Sequence, residues 1–412
     1  MIIAIGNVGS TSLKSKILDI DEKNRIRLLG EANLDRIKSP GPSNFAHRVG
    51  DAPREKEEIE IVGFEAGIRH ILDWYVANGV ISRPEDIEAM GFKTVMGVTN
   101  GANLLTPEIL KEMRKFIFVA PIHNAPYIET IAEFRKVINI PMVGVFEPSF
   151  HYSLPEYKRY FGLPWEWHEA GIKRLGFHGA SHRYLSVRAR QLLGEKAQRM
   201  ITVHLGGSSS LCAIVDGKSV DISTCFSPNS GVPQGTRPGD VDAAALLYVQ
   251  KVFGLSPDEV QEHVSLEGGM KGLAGIGTED MRAIEDAAEA GNHRARMAMD
   301  FFIDSVRKTI AGFASTMGGV DAVIFSGGVG ENGAEVREKI IANMEFMGLK
   351  LDPERNRECN RSEGKISADD SKAEIYIIPT NEEMVVASFA KKVVELGRDL
   401  LPEEMIFEMD AD

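Results

Sequence analysis

Cysteine is scarce in this chain of 412 residues: Cys212, Cys225 and Cys359 are the only three, and none belongs to a C-x-x-C pair. That excludes a disulfide framework and the common zinc-site spacings, and a reducing, cytoplasmic compartment is the expectation. Long apolar runs are missing as well. Nothing approaches the roughly 18 residues of a membrane span. The opening MIIAIGNVGSTSLK has no basic lead and reads as a strand rather than a signal peptide. Positive charge is in deficit, with 47 Lys+Arg against 60 Asp+Glu, a net charge of -13. The two signs are interspersed, so there is no basic face for nucleic acid or an anionic membrane, and neither is expected as a partner. Small anions remain open to it, because a local group of Arg, Lys and backbone N–H donors holds phosphate on an acidic protein. The pattern G-x-x-x-x-G-K-[ST] is absent too, which argues against a Walker-type ATPase.

Glycine, by contrast, is abundant, at 40 residues. The length predicts two or three domains. Strand-like and helical segments alternate throughout. Residues 1–5, 12–19, 89–95, 141–146, 200–204, 211–215, 322–325 and 374–378 read as strands. Helical spacing covers 64–76, 107–115, 127–137, 182–193, 241–252, 293–316, 335–347 and a final stretch from Glu382. Residues 36–58 are polar and rich in Pro and Gly and read as a long loop. Such alternation predicts α/β layers, with ligands at the loops leaving the strands.

One internal repeat is visible. AIGNVGSTSLK (Ala4–Lys14) aligns without gaps on TVHLGGSSSLC (Thr202–Cys212), half a chain away, so that Gly9 meets Gly207, Ser12 meets Ser210 and Leu13 meets Leu211. Each copy is strand, Gly/Ser turn, strand. An ordinary pair of hairpins would look similar, since Gly and Ser are common in turns. The half-chain spacing favours duplication, and two such domains facing each other would bring both turns to one cleft. Turns of this composition offer backbone N–H groups and small hydroxyls to a polyphosphate. A third cluster, Ser326-Gly327-Gly328-Val329-Gly330-Glu331-Asn332, follows a strand and precedes a helix, where a nucleotide can lie against backbone.

These segments resemble the acetate kinase family, the short-chain carboxylate kinases of the acetate and sugar kinase/Hsc70/actin superfamily. The resemblance runs over nearly the whole chain, in family order: N-V-G-S-T-S-L-K (Asn7–Lys14), A-P-I-H-N (Ala120–Asn124), G-F-H-G-A-S-H (Gly176–His182), H-L-G-G-S-S-S (His204–Ser210), G-T-R-P-G-D (Gly235–Asp240), G-G-V-G-E-N (Gly327–Asn332) and P-T-N-E-E (Pro379–Glu383). It implies an α/β fold of two duplicated actin-like (ribonuclease H-like) domains, mixed sheets flanked by helices with a cleft between. The first domain would be 1–150, joined by the helical segment 384–412, and the second 151–383. It also implies a cytoplasmic homodimer with ATP as co-substrate and Mg2+, or Mn2+ in its place, as the metal. The reaction would convert a carboxylate to an acyl phosphate.

Carried over residue by residue, Arg237 clamps the carboxylate and the moving phosphoryl group, and His178 donates to the equatorial oxygens. His123 and His204 are phosphoryl-site candidates, for which ordering of neighbouring loops is the alternative. Asn7 and Glu382 lie near the metal, with Glu383 the weaker candidate. Ser10, Ser12 and Lys14 belong to the first phosphate turn, Gly206, Gly207, Ser208, Ser209 and Ser210 to the second, and Gly327, Gly328, Gly330 and Asn332 to the third. Val95, Ile122, Phe177 and Pro228 would line a small apolar acyl pocket, joined by Lys93 and His123 at its polar end.

The departures fall on the acceptor side. The family's G-H-R-V-V-H-G-G is here Gly91-Phe92-Lys93-Thr94-Val95-Met96-Gly97-Val98, so lysine replaces arginine and its bidentate fork is lost. In place of F-D-T-A-F-H stands Phe146-Glu147-Pro148-Ser149-Phe150-His151, which moves a carboxylate by about 1.5 Å. A misplacement near 1 Å can cost about 10²-fold in rate. Gly207 stands where the family has asparagine. A reshaped site for another carboxylate is one outcome, a kinase for a hydroxyl substrate is a second, and a catalytically decayed nucleotide-binding relative is a third.

Overall fold

The structure is a computed structural model and describes residues 1–9, 11–22, 25–97 and 101–409. They fall into two compact units, Met1–Ser149 with Asn381–Asp412, and Phe150–Thr380.

The first unit carries eight strands: β1 (Ile2–Val8), β2 (Ser12–Ile20), β3 (Ile26–Asp35), β4 (Ser43–Val49), β5 (Glu55–Ile59), β6 (Ala89–Thr94), β7 (Ala102–Leu104) and β8 (Met142–Phe146). They form one mixed sheet in the order β5-β4-β3-β2-β1-β6-β8-β7. The run β5 to β1 is antiparallel, β1, β6 and β8 are parallel, and β7 returns antiparallel. Parallel strands in register leave their carboxy-terminal ends side by side. This is why Asn7 at the end of β1, Lys93 near the end of β6 and Glu147 just after β8 come from distant parts of the sequence to one edge. The helix Phe64–Ala77 buries Phe64, Ile68, Ile71, Leu72 and Tyr75 against Leu13, Ile17, Leu34 and Phe45. Each such side chain contributes about 1.5–3 kcal/mol. Tyr75 satisfies its hydroxyl by donating to the Ser15 carbonyl at 2.9 Å.

The stretch 36–58 is not a long loop. It holds β4 and β5, and β3 precedes it. In β4 the inward positions are Ser43, Phe45 and His47, two of them polar, so the period-2 signal is hidden in the sequence. Phe45 is fully buried and stacks edge-on against His70 and Trp74. β5, Glu-Lys-Glu-Glu-Ile, is an outer strand whose charges discourage further pairing.

The second unit carries β9 (Arg199–Leu205), β10 (Ser209–Val215), β11 (Lys218–Ile222), β12 (Ala322–Ser326), β13 (Gly364–Lys365) and β14 (Glu374–Ile377), in the order β11-β10-β9-β12-β14-β13. β9 is antiparallel to β10 and parallel to β12, which is parallel to β14. The helix His293–Met317 packs Ala298, Phe302, Val306 and Ile310 into a core with Ile201, Val203, Leu211 and Phe325.

The order β3-β2-β1-β6-β8 in the first sheet is matched by β11-β10-β9-β12-β14 in the second, with the same parallel and antiparallel senses. Duplication therefore holds at the level of topology. The ungapped residue alignment does not carry over into strand register. Leu13 lies opposite Val8, whereas Leu211 lies opposite Val203. The two Gly/Ser turns differ in length and are not superimposable residue by residue.

Two helical expectations are also trimmed or extended. The segment 335–347 is a helix only over Ala334–Ile341, followed by a short 3-10 turn at Glu345–Met347. The helix expected from Tyr127 begins earlier, at Pro121, because proline in the first helical turn forfeits no hydrogen bond.

Candidate active site

In the first unit the expected metal-side and acceptor-side residues form one ionic group. Lys93 Nζ donates to Glu382 Oε2 at 2.7 Å across 289 residues of sequence. Burial alone would lower the Lys93 ammonium, but Glu382, Glu147 and the Tyr127 phenol act on it and hold it above its ordinary value. Glu147 is 3% exposed. Glu382 opens the helix Glu382–Leu396, whose N-cap Asn381 accepts from the Met384 N–H at 3.1 Å. A carboxylate at a helix amino terminus is favoured by the backbone dipole. Tyr127 Oη donates to Asn7 Oδ1 at 3.2 Å. Glu383, one residue on, pairs instead with Lys16 at 3.1 Å.

Asn7, Glu147 and Glu382 thus present oxygen donors only, the set a hard divalent cation takes. A cationic group, the Lys93 ammonium, already pairs with Glu382 and feels the charge of Glu147. The chemistry of this donor set fits Mg2+, which keeps most of its waters and needs only one or two carboxylates. No group of three or more His, Cys, Asp or Glu arranged for a metal exists among the described residues.

The second unit brings together imidazoles and hydroxyls. His178 precedes the helix Gly179–Leu193 and adopts a left-handed backbone, φ 55°. This costs about 1 kcal/mol or more for a residue with a Cβ. Gly176, two residues earlier, has φ 82°, and a Cβ there would lie 2.6 Å from the His151 ring. Phe177 is pinned between them by Thr224 Oγ1, which accepts its N–H at 3.0 Å, and by His151 Nε2–H, which donates to its carbonyl at 3.0 Å. Burial holds the His151 imidazole down to about 3. The His178 ring stacks on His204 at 4.4 Å. His178 Nδ1 lies 2.7 Å from Ser210 Oγ, and His204 Nδ1 lies 2.8 Å from Ser181 Oγ.

Gln234 ties this group to Arg237. Its Oε1 accepts from Ser208 Oγ at 2.8 Å and its Nε2 donates to the Pro228 carbonyl at 2.7 Å. Arg237 Nη1 donates to that same carbonyl at 3.3 Å. Arg237 is 5% exposed, its Nε has no hydrogen-bond partner among the described residues, and burial lowers it to about 10. The third turn is a short helix, Gly327–Asn332. Gly327 has φ 76°, and a Cβ there would lie 2.6 Å from the Leu205 carbonyl oxygen. Glycine is therefore required where β12 passes β9. Glu331 accepts the Gly327 N–H at 3.0 Å. Asn332 donates to Gly328 O and accepts from Arg361, both at 2.6 Å. Beneath the turn the fully buried Arg337 donates to Gly330 O at 2.8 Å.

The remaining expected residues are placed as follows. Ser10 lies outside the described residues. Ser12 begins β2 and Lys14 is exposed two residues on. His123 and Ile122 are half-buried in the first turn of the helix Pro121–Val137, and Val95 is buried in the same unit. Phe177 and Pro228 are buried in the second unit. Ser209 Oγ and Gly206 close the second turn at 3.3 Å, and Gly207 is exposed. Sequence reasoning missed Tyr127, Ser181, His182, Gln234 and Arg337. Gln234 sits directly before the G-T-R-P-G-D motif and His182 ends G-F-H-G-A-S-H, so their positions were on view while their contacts were not.

A duplicated actin-like sheet pair, with a buried guanidinium, stacked imidazoles and Gly/Ser turns at strand ends, defines a phosphotransferase. The Acetokinase family model matches residues 1–388. The acetate kinase of Desulfitobacterium hafniense is 38% identical over 405 residues, covering 96% of this chain and all of that enzyme. Among solved structures, Porphyromonas gingivalis acetate kinase matches with a TM-score of 0.83 at 33% identity, over 95% of this chain and 99% of that one. A propionate kinase from Francisella tularensis matches at 0.85 and 29%, with the same coverage. The chain belongs to the acetate kinase family and is a kinase that transfers phosphate to a carboxylate.

Proposed function

We propose that the chain phosphorylates a short-chain carboxylate with ATP and Mg2+, forming an acyl phosphate and ADP in a reversible in-line transfer. Arg237 is the observation that carries this reading. A buried guanidinium with no carboxylate partner among the described residues costs several kcal/mol. An anion repays that cost, and the planar fork of arginine matches carboxylate and phosphoryl oxygens. The carboxylate is ionised near pH 7, so no base is needed. One of its oxygens attacks the γ-phosphorus, the bond from that phosphorus to the β,γ-bridging oxygen breaks, and ADP leaves with the electron pair. Arg237 holds the acceptor and the moving group, and His178 donates to the equatorial oxygens. The Gly/Ser turns and Gly327–Gly330 offer backbone donors to the nucleotide. Asn7, Glu147 and Glu382 would hold Mg2+, some through water; the ion, when bound, neutralises phosphate charge.

Lys93 favours an acceptor other than acetate, since its ammonium is committed to Glu382. It does not present a second fork to the substrate. Propionate, the substrate class in one relative's name, is the first alternative to try. The test is a hydroxylamine trap with ATP, Mg2+ and acetate, propionate or butyrate. An acyl phosphate yields a hydroxamate and a sugar phosphate does not. ATP binding without hydroxamate from any of the three would defeat the carboxylate reading.

A homodimer acting in the cytoplasm completes the proposal. The helix Ala243–Phe253 buries none of its residues, although Leu247, Tyr248, Val252 and Phe253 are 55–71% exposed. Its only charge is Lys251. A nearly uncharged face suits a second copy of itself, and Leu247→Glu should shift the sedimenting species from dimer to monomer.

A further inference from the structure

Three buried groups stand behind His178, and their hydrogen bonds have only one consistent direction. Thr202, in β9, is fully buried, and among the described residues its hydroxyl has a single partner, His182 Nδ1 at 2.7 Å. A hydroxyl in that position must place its hydrogen on the imidazole nitrogen, since no other acceptor among the described residues bonds it. His182 is fully buried, and burial first, then the neighbouring His151 and His204, keeps it well below its ordinary value. The neutral ring accepts at Nδ1, so its proton is on Nε2. That nitrogen lies 2.8 Å from Ser210 Oγ and donates to it. Ser210 is also fully buried, with the two imidazoles as its hydroxyl's partners. Having accepted from His182, it has one hydrogen to give, and His178 Nδ1 at 2.7 Å receives it.

We infer that Thr202, His182 and Ser210 form a one-way relay that fixes His178 as the tautomer with its proton on Nε2. They are positioning residues, and His178 is the group that meets the substrate. This deepens the phosphoryl-transfer reading and rests on it for its purpose, though not for its geometry. A His178 protonated at both nitrogens would have to donate through Nδ1 to Ser210. The serine would then have to give its hydrogen to His182 Nε2, His182 would have to donate to Thr202, and a buried hydroxyl hydrogen would be left with no acceptor. The relay therefore keeps His178 a neutral donor aimed by its ring orientation, in the way outer hydrogen bonds fix the tautomer of a metal-bound histidine.

The direction gives the test. Nitrogen-15 spectra of the full-length protein labelled at histidine report which ring nitrogens carry protons, with or without turnover. In the wild type, His178 and His182 should each show a protonated Nε2 and a bare Nδ1. Thr202→Val removes the first donor and should split both rings into two tautomers, with kcat falling about tenfold or more. Thr202→Ser should restore a single tautomer at both. Ser210→Ala cuts the relay further along, so His182 should keep its state while His178 becomes mixed. A wild-type His178 protonated on Nδ1, or a His178 that stays wholly on Nε2 in Thr202→Val, overturns the relay. Should Ser210→Ala fail to fold, the two Thr202 variants decide the matter. If no carboxylate is phosphorylated, the spectra still answer this question separately.

Discussion

The two sheets share one strand order and put quite different chemistry on it. At the ends of β1, β6 and β8 the first unit gathers fixed charges: Lys93, Glu147 and Glu382, with Asn7 held by Tyr127. In the second unit the groups brought together are imidazoles and hydroxyls that pass neutral hydrogen bonds along, and a guanidinium whose hydrogen-bond partner is a backbone carbonyl. Duplication of a parallel core repeats the place where side chains converge. It does not repeat what converges there, because the strand order and senses are kept while the turns that follow the strands close in different register. In one unit the buried cation is paired with a carboxylate, and in the other it lacks one. This difference predicts different responses to mutation.

The largest response is expected at Arg237. Arg237→Met should lower kcat about 10³-fold, since positive charge around the moving phosphoryl group is lost. Its melting temperature should be unchanged or raised, because a buried charge with no carboxylate partner has been replaced by an apolar side chain. A fall in stability comparable to the fall in rate would show that Arg237 is compensated after all, and the contrast between units would go with it.

Lys93→Met is the matching change in the first unit. Here both quantities should fall: turnover by about 10²-fold through misplaced acceptor and carboxylates, and stability by about 1–3 kcal/mol, less than for a wholly buried pair because Lys93 is 23% exposed. Kinetics with denaturant unfolding of the same preparation checks this. Lys93→Arg sharpens the result, because a guanidinium that still reaches Glu382 would restore stability without necessarily restoring rate.

How far the sequence alone reaches can be judged from the same residues. Asn7 and Glu382 were singled out by motif, and Lys93 and Glu147 as departures from one. That Lys93 is spent on Glu382 was not visible, since the pair spans most of the chain and depends on which strands neighbour each other. His182 and Gln234 sit inside or beside recognised motifs, yet their work is to contact Ser210, Thr202 and Ser208 across the sheet. Strong apolar runs such as Ala322–Ser326 announced themselves as strands. β4 did not, because Ser43 and His47 occupy inward positions and the burial of His47 is earned by stacking on Phe45 and Trp74. The repeat was legible as a pattern, and its register was not, since two hairpins of similar composition can close on turns of different length.

Acid should separate the units next. His151 in the second unit is held at about 3 against an ordinary value of 6.5, mainly by burial. The unfolded chain binds this proton below pH 6.5 and the folded chain does not, so stability falls as pH drops from 6.5 toward 3, by about 1.4 kcal/mol per unit. Glu31 in the first unit shows the opposite balance. Burial would raise it, but Arg54 and Asn33 bring it to about 2 from 4.5. Its contribution is intact above pH 4.5 and is lost between 4.5 and 2. Hydrogen exchange corrected for intrinsic rates should find the second unit opening more readily at pH 5.5 than at 7.5 while the first is little changed. Equal loosening of both would break the comparison.

The smallest effect is expected at Gly207, where the family has asparagine. A Cβ there would meet no atom within 4 Å, and the residue is exposed. Gly207→Asn should therefore leave stability within about 0.5 kcal/mol. It adds an amide donor to a turn whose other groups are already committed, since Gly207 O accepts from Gly235 N and Ser208 is held by Gln234. If the second unit is short of donors as well as anions, the variant should bind ATP or carboxylate a few-fold more tightly, on the order of one hydrogen bond to a charged group. Isothermal titration of each ligand separates the two cases. Unchanged affinity for both would mean that an amide at this position reaches neither ligand, which leaves the anion at Arg237 as the second unit's unmet need.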